Sequence, residues 1–416
     1  MRIVVLGAGV VGVTTAWYLA ADGHEVVVVD RQPYVAAETS FANAGLIAPG
    51  HAYAWASPRA PRMLLRSLWR DDTALKLRLR ADPALWRWAC SFLGNCRTER
   101  NRRNTLIKLR LCLLSQKLLD ELTDAEALDY HRIARGLLYL YRDPVHLEAG
   151  SRNMALLNEN GMQLRAIDAN ECRAIEPALA DARVAIAGAI YAPGDASGDC
   201  RLFTEQLAER ATRRGVEFRF GRTVTRLNVK RGRVAAIATD AGDMEADLYV
   251  LAFGSYAAPL ARSAGLRLPV YPVKGYSLTL PLRDVARAPV IGGVDEHNLV
   301  AYARFGDRMR LTGTAEIAGY DRSHRPADYA AMLAAARGLF PDAADYDKPD
   351  YWTCLRPMTP DGPPLLGPTP IDNLMLNAGS GHMGWTMACA NARIVADLVA
   401  RRTPPIPLDG LLLEGR

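Results

Sequence analysis

Three glycines and an aspartate near the start of the chain have the spacing of a phosphate-binding turn. Gly7, Gly9 and Gly12 form a G-x-G-x-x-G pattern between two runs that read as strand and helix, IVVLG and GVTTAWYLA. Such glycines permit a tight turn, the approach of a pyrophosphate, and close packing of helix on strand. Asp30 ends a second apolar run eighteen residues after Gly12, where a carboxylate can accept hydrogen bonds from both ribose hydroxyls of an adenosine. The pattern predicts a dinucleotide site without choosing between NAD and FAD, and a turn kept only for packing is the alternative.

A second glycine-rich turn lies close to the C-terminus. The string GSGHMG at 379–384 precedes a helical run that begins with WTMACANA. A helix N-terminus offers N–H donors and positive partial charge, which suits the negative charge of a reduced flavin ring. A nicotinamide needs no such second site, so this turn favours FAD. The apolar run DLYVLAFGSY at 247–256 is expected to return beneath the adenosine, although an ordinary buried strand would have the same pattern.

The elements that must position these turns follow from composition and periodicity. With 416 residues, 50% of them hydrophobic, the chain can bury two domains. Residues 38–58 read as a long loop broken by Gly and Pro, 61–130 as Arg-rich helices, and 199–215 as a helix closed by Gly215. Alternating polar and apolar residues over 270–320 predict an antiparallel sheet.

The composition also excludes several classes of protein. Seven cysteines without a CxxC pair and seven scattered histidines indicate neither a disulfide framework nor a metal site. No apolar run is long enough for a membrane-spanning helix, and the first strand leaves no room for a signal peptide. We therefore expect a cytoplasmic protein.

Several longer strings carry a resemblance to a known family. They are ETSFANAG, SGDCRLFTEQLA, YVLAFGSY, PVYPVKGYSLTLP, LRPMTPDGPPLLG and GWTMACANA. On these strings the chain, from residue 1 to about 407, resembles bacterial D-amino acid dehydrogenases, within the larger group of D-amino acid, glycine and sarcosine oxidases. The resemblance implies oxidation of D-amino acids to imino acids, which water converts to 2-oxo acids and ammonia.

The resemblance also implies a fold of the α/β class with two domains. The Rossmann-like FAD-binding domain would be built from the discontinuous segments 1–58, 196–265 and 350–416. The α+β substrate domain of the D-amino acid oxidase type, 59–195 and 266–349, would lay a mixed sheet over the flavin. The residues expected to bind FAD are Val4, Leu6, Gly7, Gly9, Val10, Val11, Gly12, Asp30, Arg31, Ser40, Asn43, Ala44, Gly45, Val224, Ala252, Gly254, Gly379, Gly381, His382, Met383, Gly384, Trp385 and Thr386.

Hydride transfer from an amino acid requires that the substrate carboxylate be held in place. Arg356 is the candidate, because the planar fork of arginine suits a carboxylate and the arginine of this LRP-type motif has that role in the related oxidases. A structural arginine paired with Asp361 is the alternative. Tyr53, Tyr276 and Tyr302 are candidates for lining or gating the pocket, although each is as readily an ordinary tyrosine. No obligatory base is expected, so binding itself would select or produce the neutral amine.

Some strings depart from the family pattern and leave substrate and acceptor open. They are LIAPGH at 46–51, GSGHMGW at 379–385, and Cys354 in place of a usual glycine. A small D-amino acid such as D-alanine is the expected substrate, with D-proline or hydroxy-D-proline as the alternative. The resemblance implies a respiratory quinone or a dye-type electron acceptor, with an oxygen-using amine oxidase as the rival. Lys274 is a further candidate for a cation beside the flavin, or else an ordinary solvated lysine.

One basic segment needs its own explanation. Residues 59–110 contain 14 Lys or Arg against 4 Asp or Glu, interleaved with Trp69, Trp86 and Trp88. A solvated helical face is the default interpretation, and a patch attracted to an anionic membrane surface is the second. Nucleic acid is not an expected partner. The membrane interpretation would place the protein peripherally on the inner face of the cytoplasmic membrane.

Overall fold

The computed structural model of the chain describes residues 1–66, 75–78 and 80–415. Its α-helices are α1 (Val10–Ala21), α2 (Ala60–Arg66), α3 (Pro83–Asn95), α4 (Thr98–Glu126), α5 (Pro144–Asn158), α6 (Ala169–Ile175), α7 (Cys200–Arg213), α8 (Ala257–Arg262), α9 (Ala330–Leu339) and α10 (Ala388–Val399). Its strands are β1 (Arg2–Leu6), β2 (Glu25–Val29), β3 (Leu46–Ile47), β4 (Leu75–Leu77), β5 (Leu137–Tyr141), β6 (Arg165–Asp168), β7 (Gly188–Ala192), β8 (Ala196–Ser197), β9 (Glu217–Arg219), β10 (Val224–Lys230), β11 (Arg233–Thr239), β12 (Gly242–Met244), β13 (Leu248–Leu251), β14 (Tyr271–Pro281), β15 (Gly292–Asp295), β16 (Val300–Phe305), β17 (Arg308–Ile317), β18 (Asp350–Met358), β19 (Leu365–Pro368) and β20 (Leu374–Ala378).

The first sheet is built from strands far apart in the chain, in the order β19-β20-β13-β1-β2-β9. β1 lies between β13 and β2 and is parallel to both. Parallel strands covered on both faces are apolar throughout, and β1 and β2 each bury four consecutive residues. α1 packs on this sheet with α7 and α10. The predicted strand–turn–helix–strand unit is confirmed, and the strand within 247–256 does return beside β1.

The second sheet is mixed and has the order β18-β14-β17-β16-β15-β5-β7-β6, with β4 added beside β17. β14, β17 and β16 are successive antiparallel neighbours, as the alternation over 270–320 predicts. β18 pairs along β14 over its whole length. The sequence-based boundary at residue 350 puts this strand with the FAD-binding segments, whereas its hydrogen bonds place it in the mixed sheet.

The basic segment folds as α2, α3 and α4, with β4 between α2 and α3. Asn104, Ile107 and Leu111 bury one side of α4, whereas arginines such as Arg102 and Arg103 are exposed on its other side. Trp88 is buried and donates a hydrogen bond to Met358 O, but Trp86 is 49% exposed. Trp69 lies outside the described residues. Of the helices that the structure describes, none is both long enough and apolar enough to span a bilayer.

Candidate functional site

A cavity of about 1090 Å³ is lined by residues of both sheets. Its walls include the turn after β1, the glycine-rich turn before α10, parts of β14, β17 and β18, and the N-terminal ends of α2 and α4. This volume lies just above the usual range for small-molecule sites, about 300–1,000 Å³. The cavity therefore has room for a large cofactor together with a substrate.

The turn after β1 is compact enough to require glycine. Gly7 has φ +117°, and a Cβ there would lie 2.6 Å from Ala252 O of the neighbouring strand end. A Cβ at Gly12 would lie 1.8 Å from Gly7 O, so this residue keeps α1 packed against the turn. The amide of Val10 donates to Ser40 Oγ at 3.0 Å, which brings the loop after β2 to the start of α1. The first amides of α1 thus lie at the cavity wall.

Asp30 lies at the end of β2 and lines the same cavity. Its carboxylate accepts hydrogen bonds from the amides of Ala8, at 2.7 Å, and Gln32, at 2.9 Å. Burial raises the pKa of Asp30, although these two amide donors oppose the shift. Arg31 pairs with Glu38 at 2.7 Å, and its guanidinium carbon lies 3.9 Å from the Tyr256 ring centroid. The carboxylate is therefore fixed at the strand end, where a ribose is expected.

The C-terminal turn supplies polar atoms that the folded chain leaves without partners. Gly379 and Gly381 have φ +74° and +59°, which bend the chain between β20 and α10. His382 Nε2 and Trp385 Nε1 are buried and have no hydrogen-bond partner among the described residues. Thr386 Oγ1 accepts from the amide of Ala48 and so ties this turn to the loop after β3. Buried polar groups in proteins are normally hydrogen-bonded, so a ligand here would satisfy donors or acceptors that the chain does not.

Arg356 lies on β18 with its guanidinium over β14. A Cβ at Gly275 would lie 2.6 Å from Arg356 Cζ, so the side chain needs a glycine beneath it. Its Nη1 donates to Thr314 O at 2.9 Å, and no carboxylate of the described residues, Asp361 included, forms an ion pair with it. Burial lowers the pKa of Arg356. The side chain is thus a cation at the cavity wall without an opposite charge, which is what binding of an anion requires.

The predicted tyrosines are divided between the cavity and the interior. Tyr53 lines the cavity, whereas Tyr276 and Tyr302 are buried in the core on the other face of the mixed sheet. The reason is the alternation of side chains along a strand. On β14, Val273 and Gly275 face the cavity, so Tyr276 points away and donates to Glu316 Oε2.

Tyr302 is placed in the same way. Its neighbour Ala301 lines the cavity, so the phenol of Tyr302 turns to the core beside Gly293. The expectation that Tyr276 and Tyr302 line the pocket is therefore wrong. Lys274 shares the face of Tyr276 and forms a buried ion pair with Glu316 at 2.9 Å, so it does not lie at the cavity as the sequence had suggested.

Most of the residues expected to bind FAD do come together around the cavity. Those that line it are Gly7, Gly9, Val10, Val11, Asp30, Arg31, Ser40, Asn43, Ala44, Gly45, Val224, Ala252, Gly254, Gly379, Gly381, His382, Met383, Gly384, Trp385 and Thr386. Val4 and Leu6 are fully buried in β1, and Gly12 packs on Gly7, so these three lie behind the wall. They shape the turn from behind, and their expected contact with FAD stays a prediction.

Another group of titratable side chains lies at and behind the cavity wall, and apart from His51, which belongs to the departing string LIAPGH, and Tyr53, the sequence does not predict it. His51 Nε2 lies 3.0 Å from Glu296 Oε1, and the His51 ring stacks on Tyr139 with ring centroids 5.2 Å apart. Tyr139 in turn donates to Asp195 at 2.6 Å. Lys108, only 2% exposed, donates to Tyr53 O. The apolar neighbours of Lys108 in IKLRLCLL were the one local signal of its burial, and the His51–Glu296 contact joins residues 245 positions apart.

Comparison with known proteins identifies the family. A family model described as FAD dependent oxidoreductase (DAO) matches residues 2–398. The chain belongs to this FAD-dependent oxidoreductase family. A D-amino acid dehydrogenase 2 of Mesorhizobium japonicum is 45% identical over 416 residues, which cover 100% of both chains. A D-amino acid dehydrogenase of Paramagnetospirillum magneticum is 47% identical over 100% of this chain and 98% of its own.

Solved structures of the family have the same fold. The glycine oxidase of Geobacillus kaustophilus matches with a TM-score of 0.77 and 23% identity, over 100% of this chain and 99% of its own. The iminodiacetate oxidase of Chelativorans sp. BNC1 matches with a TM-score of 0.75 and 22% identity, over 99% of this chain and 98% of its own. At such identities the likeness concerns the fold, and it confirms the predicted fold class, a mixed α/β fold of the D-amino acid oxidase type.

Membership of this family makes FAD the cofactor, and the residues at the cavity fit it. The glycines of the first turn leave no room for side chains where a pyrophosphate would lie, and Asp30 is in place for a ribose. The side-chain nitrogens of His382 and Trp385, which have no hydrogen-bond partner among the described residues, lie in the turn before α10 and are available to a flavin. The chain is therefore a flavoprotein oxidoreductase whose sequence had indicated FAD rather than NAD.

Proposed function

We propose that this chain oxidises D-amino acids to imino acids, which water converts to 2-oxo acids and ammonia. Relatives named D-amino acid dehydrogenase, 45–47% identical over nearly their whole lengths, support this substrate class. FAD, when bound, accepts the hydride that leaves the substrate Cα. Within the chain, the observation that carries the proposal is Arg356, a cavity-facing guanidinium without a carboxylate partner among the described residues.

Arg356 would bind the substrate carboxylate and thereby fix the position of Cα. Two parallel N–H donors can engage both carboxylate oxygens, which restricts rotation of the substrate as well as its position. The guanidinium is itself held by Thr314 O and by the space above Gly275. Tyr53 is the predicted tyrosine that remains a candidate for lining the substrate pocket. We retain the division into an FAD-binding and a substrate domain, and assign β18 with Arg356 to the mixed sheet.

Flavin reduction without oxygen tests this proposal. The purified protein is mixed anaerobically with D-alanine, D-proline, hydroxy-D-proline and the matching L-amino acids, and the flavin absorption band is followed. We expect bleaching by D-amino acids and none by their L-enantiomers. A protein that is yellow but is bleached by no D-amino acid would refute the assignment, and the ranking of the D-amino acids separates an alanine-like from a proline-like substrate.

We further propose that electrons leave to a quinone at an anionic membrane surface. Exposed apolar side chains occur on α2 and α3, with Met63 45%, Leu65 56% and Trp86 49% exposed. Exposed arginines lie near them in the chain, and both Met63 and Arg59 also line the cavity. Arginine with exposed tryptophan and leucine is the composition of an interfacial segment. This arrangement supports an acceptor that approaches the cavity from a lipid surface.

Two measurements test this second proposal. The protein is floated with vesicles that contain anionic lipid and with neutral vesicles, at low and high salt, since attraction to anionic lipid is screened by salt. Reoxidation of the reduced flavin by a soluble quinone is compared with reoxidation by oxygen. Flotation only with anionic vesicles at low salt and faster reoxidation by quinone are expected. Equal behaviour on both vesicle types, or rapid peroxide formation in air, would favour a soluble oxidase.

A further inference from the structure

A hydrogen-bonded pair bridges the main cavity and a second pocket. His51 ends the turn Pro49–His51 and lines the main cavity, and its Nε2 lies 3.0 Å from Glu296 Oε1. Glu296, directly after β15, lines a neighbouring pocket of about 260 Å³, which we call the side pocket. Arg59 and Asn153 line both spaces, so the two adjoin. The His51–Glu296 pair is thus a polar connection through the wall between them.

The pair is held from behind by buried groups. Tyr139 of β5 stacks on the His51 ring at 24° between the ring planes. The Tyr139 hydroxyl donates to Asp195, which is fully buried and also accepts from the amide of Gly50, next to His51. Backbone and ring of His51 are therefore both fixed. Nδ1 of His51 has no hydrogen-bond partner among the described residues, so this nitrogen is the one available to a ligand.

The charges around the pair make a substrate ammonium unfavourable in the main cavity. Arg356 of β18 lines this part of the cavity without a carboxylate partner in the described part of the chain. The buried Lys108 of α4, which donates to Tyr53 O, is close enough to act on the charge of His382 and His51. Burial, with Lys108, His51 and Arg356 nearby, holds the pKa of His382 well below its usual range. A bound carboxylate is attracted by these cations, whereas a bound ammonium is repelled.

The carboxylate in contact with His51 is Glu296, which lies at the wall of the side pocket. Asp195 and Glu296 face His51, and the phenols of Tyr53 and Tyr139 lie beside it. Burial by itself would lower the pKa of His51, but the Glu296 carboxylate outweighs burial and the net shift is upward. The side-pocket charges around Glu296 are Arg59, Arg142 with Asp295, His146 with Asp143, and His297. Glu296 is thus the carboxylate that a proton on His51 Nε2 can reach directly.

We propose that His51 and Glu296 carry away the proton that the substrate ammonium loses on oxidation, and this rests on the proposed function. The ammonium N–H bond breaks, its proton goes to Nδ1 of His51, and the proton on Nε2 passes to Glu296 and the side pocket. The electron pair left on nitrogen forms the C=N bond as Cα loses a hydride, with its two electrons, to FAD. R–CH(NH₃⁺)–COO⁻ thus becomes R–C(=NH₂⁺)–COO⁻ plus one hydride and one proton.

Proton release on binding provides a test that does not depend on turnover. The probe is 2-aminoisobutyrate, which keeps the ammonium and the carboxylate of a substrate but has no α-hydrogen to donate. Calorimetric titration in two buffers of different ionisation enthalpy gives the protons released per ligand bound. Above the pKa of His51, we expect about one proton released per ligand for the wild type. A pH indicator in a stopped-flow mixing experiment gives the rate of this release, which should fall about 10²-fold or more in His51→Gln and Glu296→Gln because the route is lost. The matched control is His131→Gln, an exposed histidine outside the cavity lining.

The pH profile of anaerobic flavin bleaching provides the second readout. In the wild type, bleaching by a D-amino acid should slow at low pH as His51 becomes protonated. Glu296→Gln should move this limb to lower pH, because the carboxylate that raises the pKa of His51 is gone. His51→Gln should abolish the limb and slow bleaching about 10²-fold or more, with little change in substrate KM. If His51→Gln fails to fold, Glu296→Gln alone decides the question.

The outcomes distinguish this inference from the proposed function. If the wild type is bleached by D-amino acids but both variants keep its pH profile and its rate of proton release, the pair is structural and the inference is overturned. If no D-amino acid bleaches the wild type, the proposed function fails. The rate of proton release on binding of 2-aminoisobutyrate then still reports whether the proton leaves through His51.

Discussion

Replacement of Arg356 separates substrate binding from folding more sharply than any other change in the cavity. Arg356→Met keeps an unbranched aliphatic side chain of similar reach over Gly275 but removes the charge and both donors. Arg356→Lys keeps the charge and loses the planar fork. The matched control is Arg283→Met, an exposed arginine that follows β14 and lies outside the cavity lining.

The expected magnitude follows from the contacts of Arg356. Each hydrogen bond to a charged group is worth about 1.5–3 kcal/mol, and a bidentate carboxylate uses two. A loss of about 3–6 kcal/mol lowers kcat/KM for a D-amino acid by about 10²–10⁴-fold at about 1.4 kcal/mol per factor of ten. Lysine should retain part of the attraction, so Arg356→Lys should lie about 10-fold to 10²-fold below the wild type.

The stability of the ligand-free protein should rise or stay the same in Arg356→Met, although its activity falls. Arg356 has no carboxylate partner among the described residues, and burial lowers its pKa. This buried cation therefore destabilises the ligand-free protein. Methionine removes that cost, while Thr314 O remains at the cavity wall, where water can reach it. We therefore expect the urea midpoint of unfolding to be unchanged or raised in Arg356→Met.

The assay combines anaerobic stopped-flow bleaching over a range of D-amino acid concentrations with urea unfolding and FAD content. The expected result is weak saturation by substrate, full FAD content and unimpaired stability in Arg356→Met. The reasoning is refuted if Arg356→Met saturates with substrate like the wild type. It is also refuted if its loss of activity parallels a loss of FAD or of stability, because Arg356 would then be structural.

Three further predictions concern the cofactor turn and the pH dependence of stability. Asp30→Ala should weaken FAD binding by about 10–10²-fold, because the carboxylate expected on the ribose is lost; the fluorescence of released flavin on dilution measures this. Gly12→Ala should lower the free energy of unfolding by about 3 kcal/mol or more, because its Cβ would lie 1.8 Å from Gly7 O. The control is Gly194→Ala, where no atom lies within 4 Å of the added Cβ, and it should be nearly neutral in the same urea titration. Burial raises the pKa of Asp195 to about 7, from 3.8 in the unfolded chain, so between these pH values the native state binds a proton that the unfolded chain does not. The free energy of unfolding therefore falls as pH rises from about 4 to about 7, by at most about 4 kcal/mol. Asp195→Asn should remove this decline, and urea midpoints at pH 5 and pH 8 that still differ as in the wild type would contradict the assignment.

The parts of the site that sequence predicted well are local in the chain. Gly7, Gly12 and Asp30 belong to one strand–turn–helix–strand unit, whose period and glycine spacing are set within thirty residues. The string around Ser40 follows directly and reaches the start of α1. For such a unit, hydrophobic period and turn chemistry determine both the fold and the residues at the turn.

The parts that sequence could not predict depend on which face of a strand meets the cavity. Alternation along β14 is readable in the sequence, but Val273 and Gly275 face the cavity only because β18 pairs beside them and lays Arg356 across that face. Tyr276 was therefore assigned to the wrong face. The boundary at residue 350 stays a prediction, and the pairing of β18 with β14 in the mixed sheet is a long-range contact that the sequence does not reveal.

Arg356 and Lys108, two buried cations without a carboxylate partner among the described residues, act on both the carboxylate and the amine of a bound substrate. Arg356 and Lys108 are costly to bury without carboxylates, and the structure gives them none among the described residues, so an anionic ligand must supply the compensation. The same field that attracts the substrate carboxylate lowers the pKa of its ammonium, which favours the neutral amine required for hydride loss. Activation of the amine then needs no strong base at Cα but does need an exit for one proton. The His51–Glu296 pair connects the cavity to a carboxylate of the side pocket. Without this pair, the proton should leave the substrate more slowly.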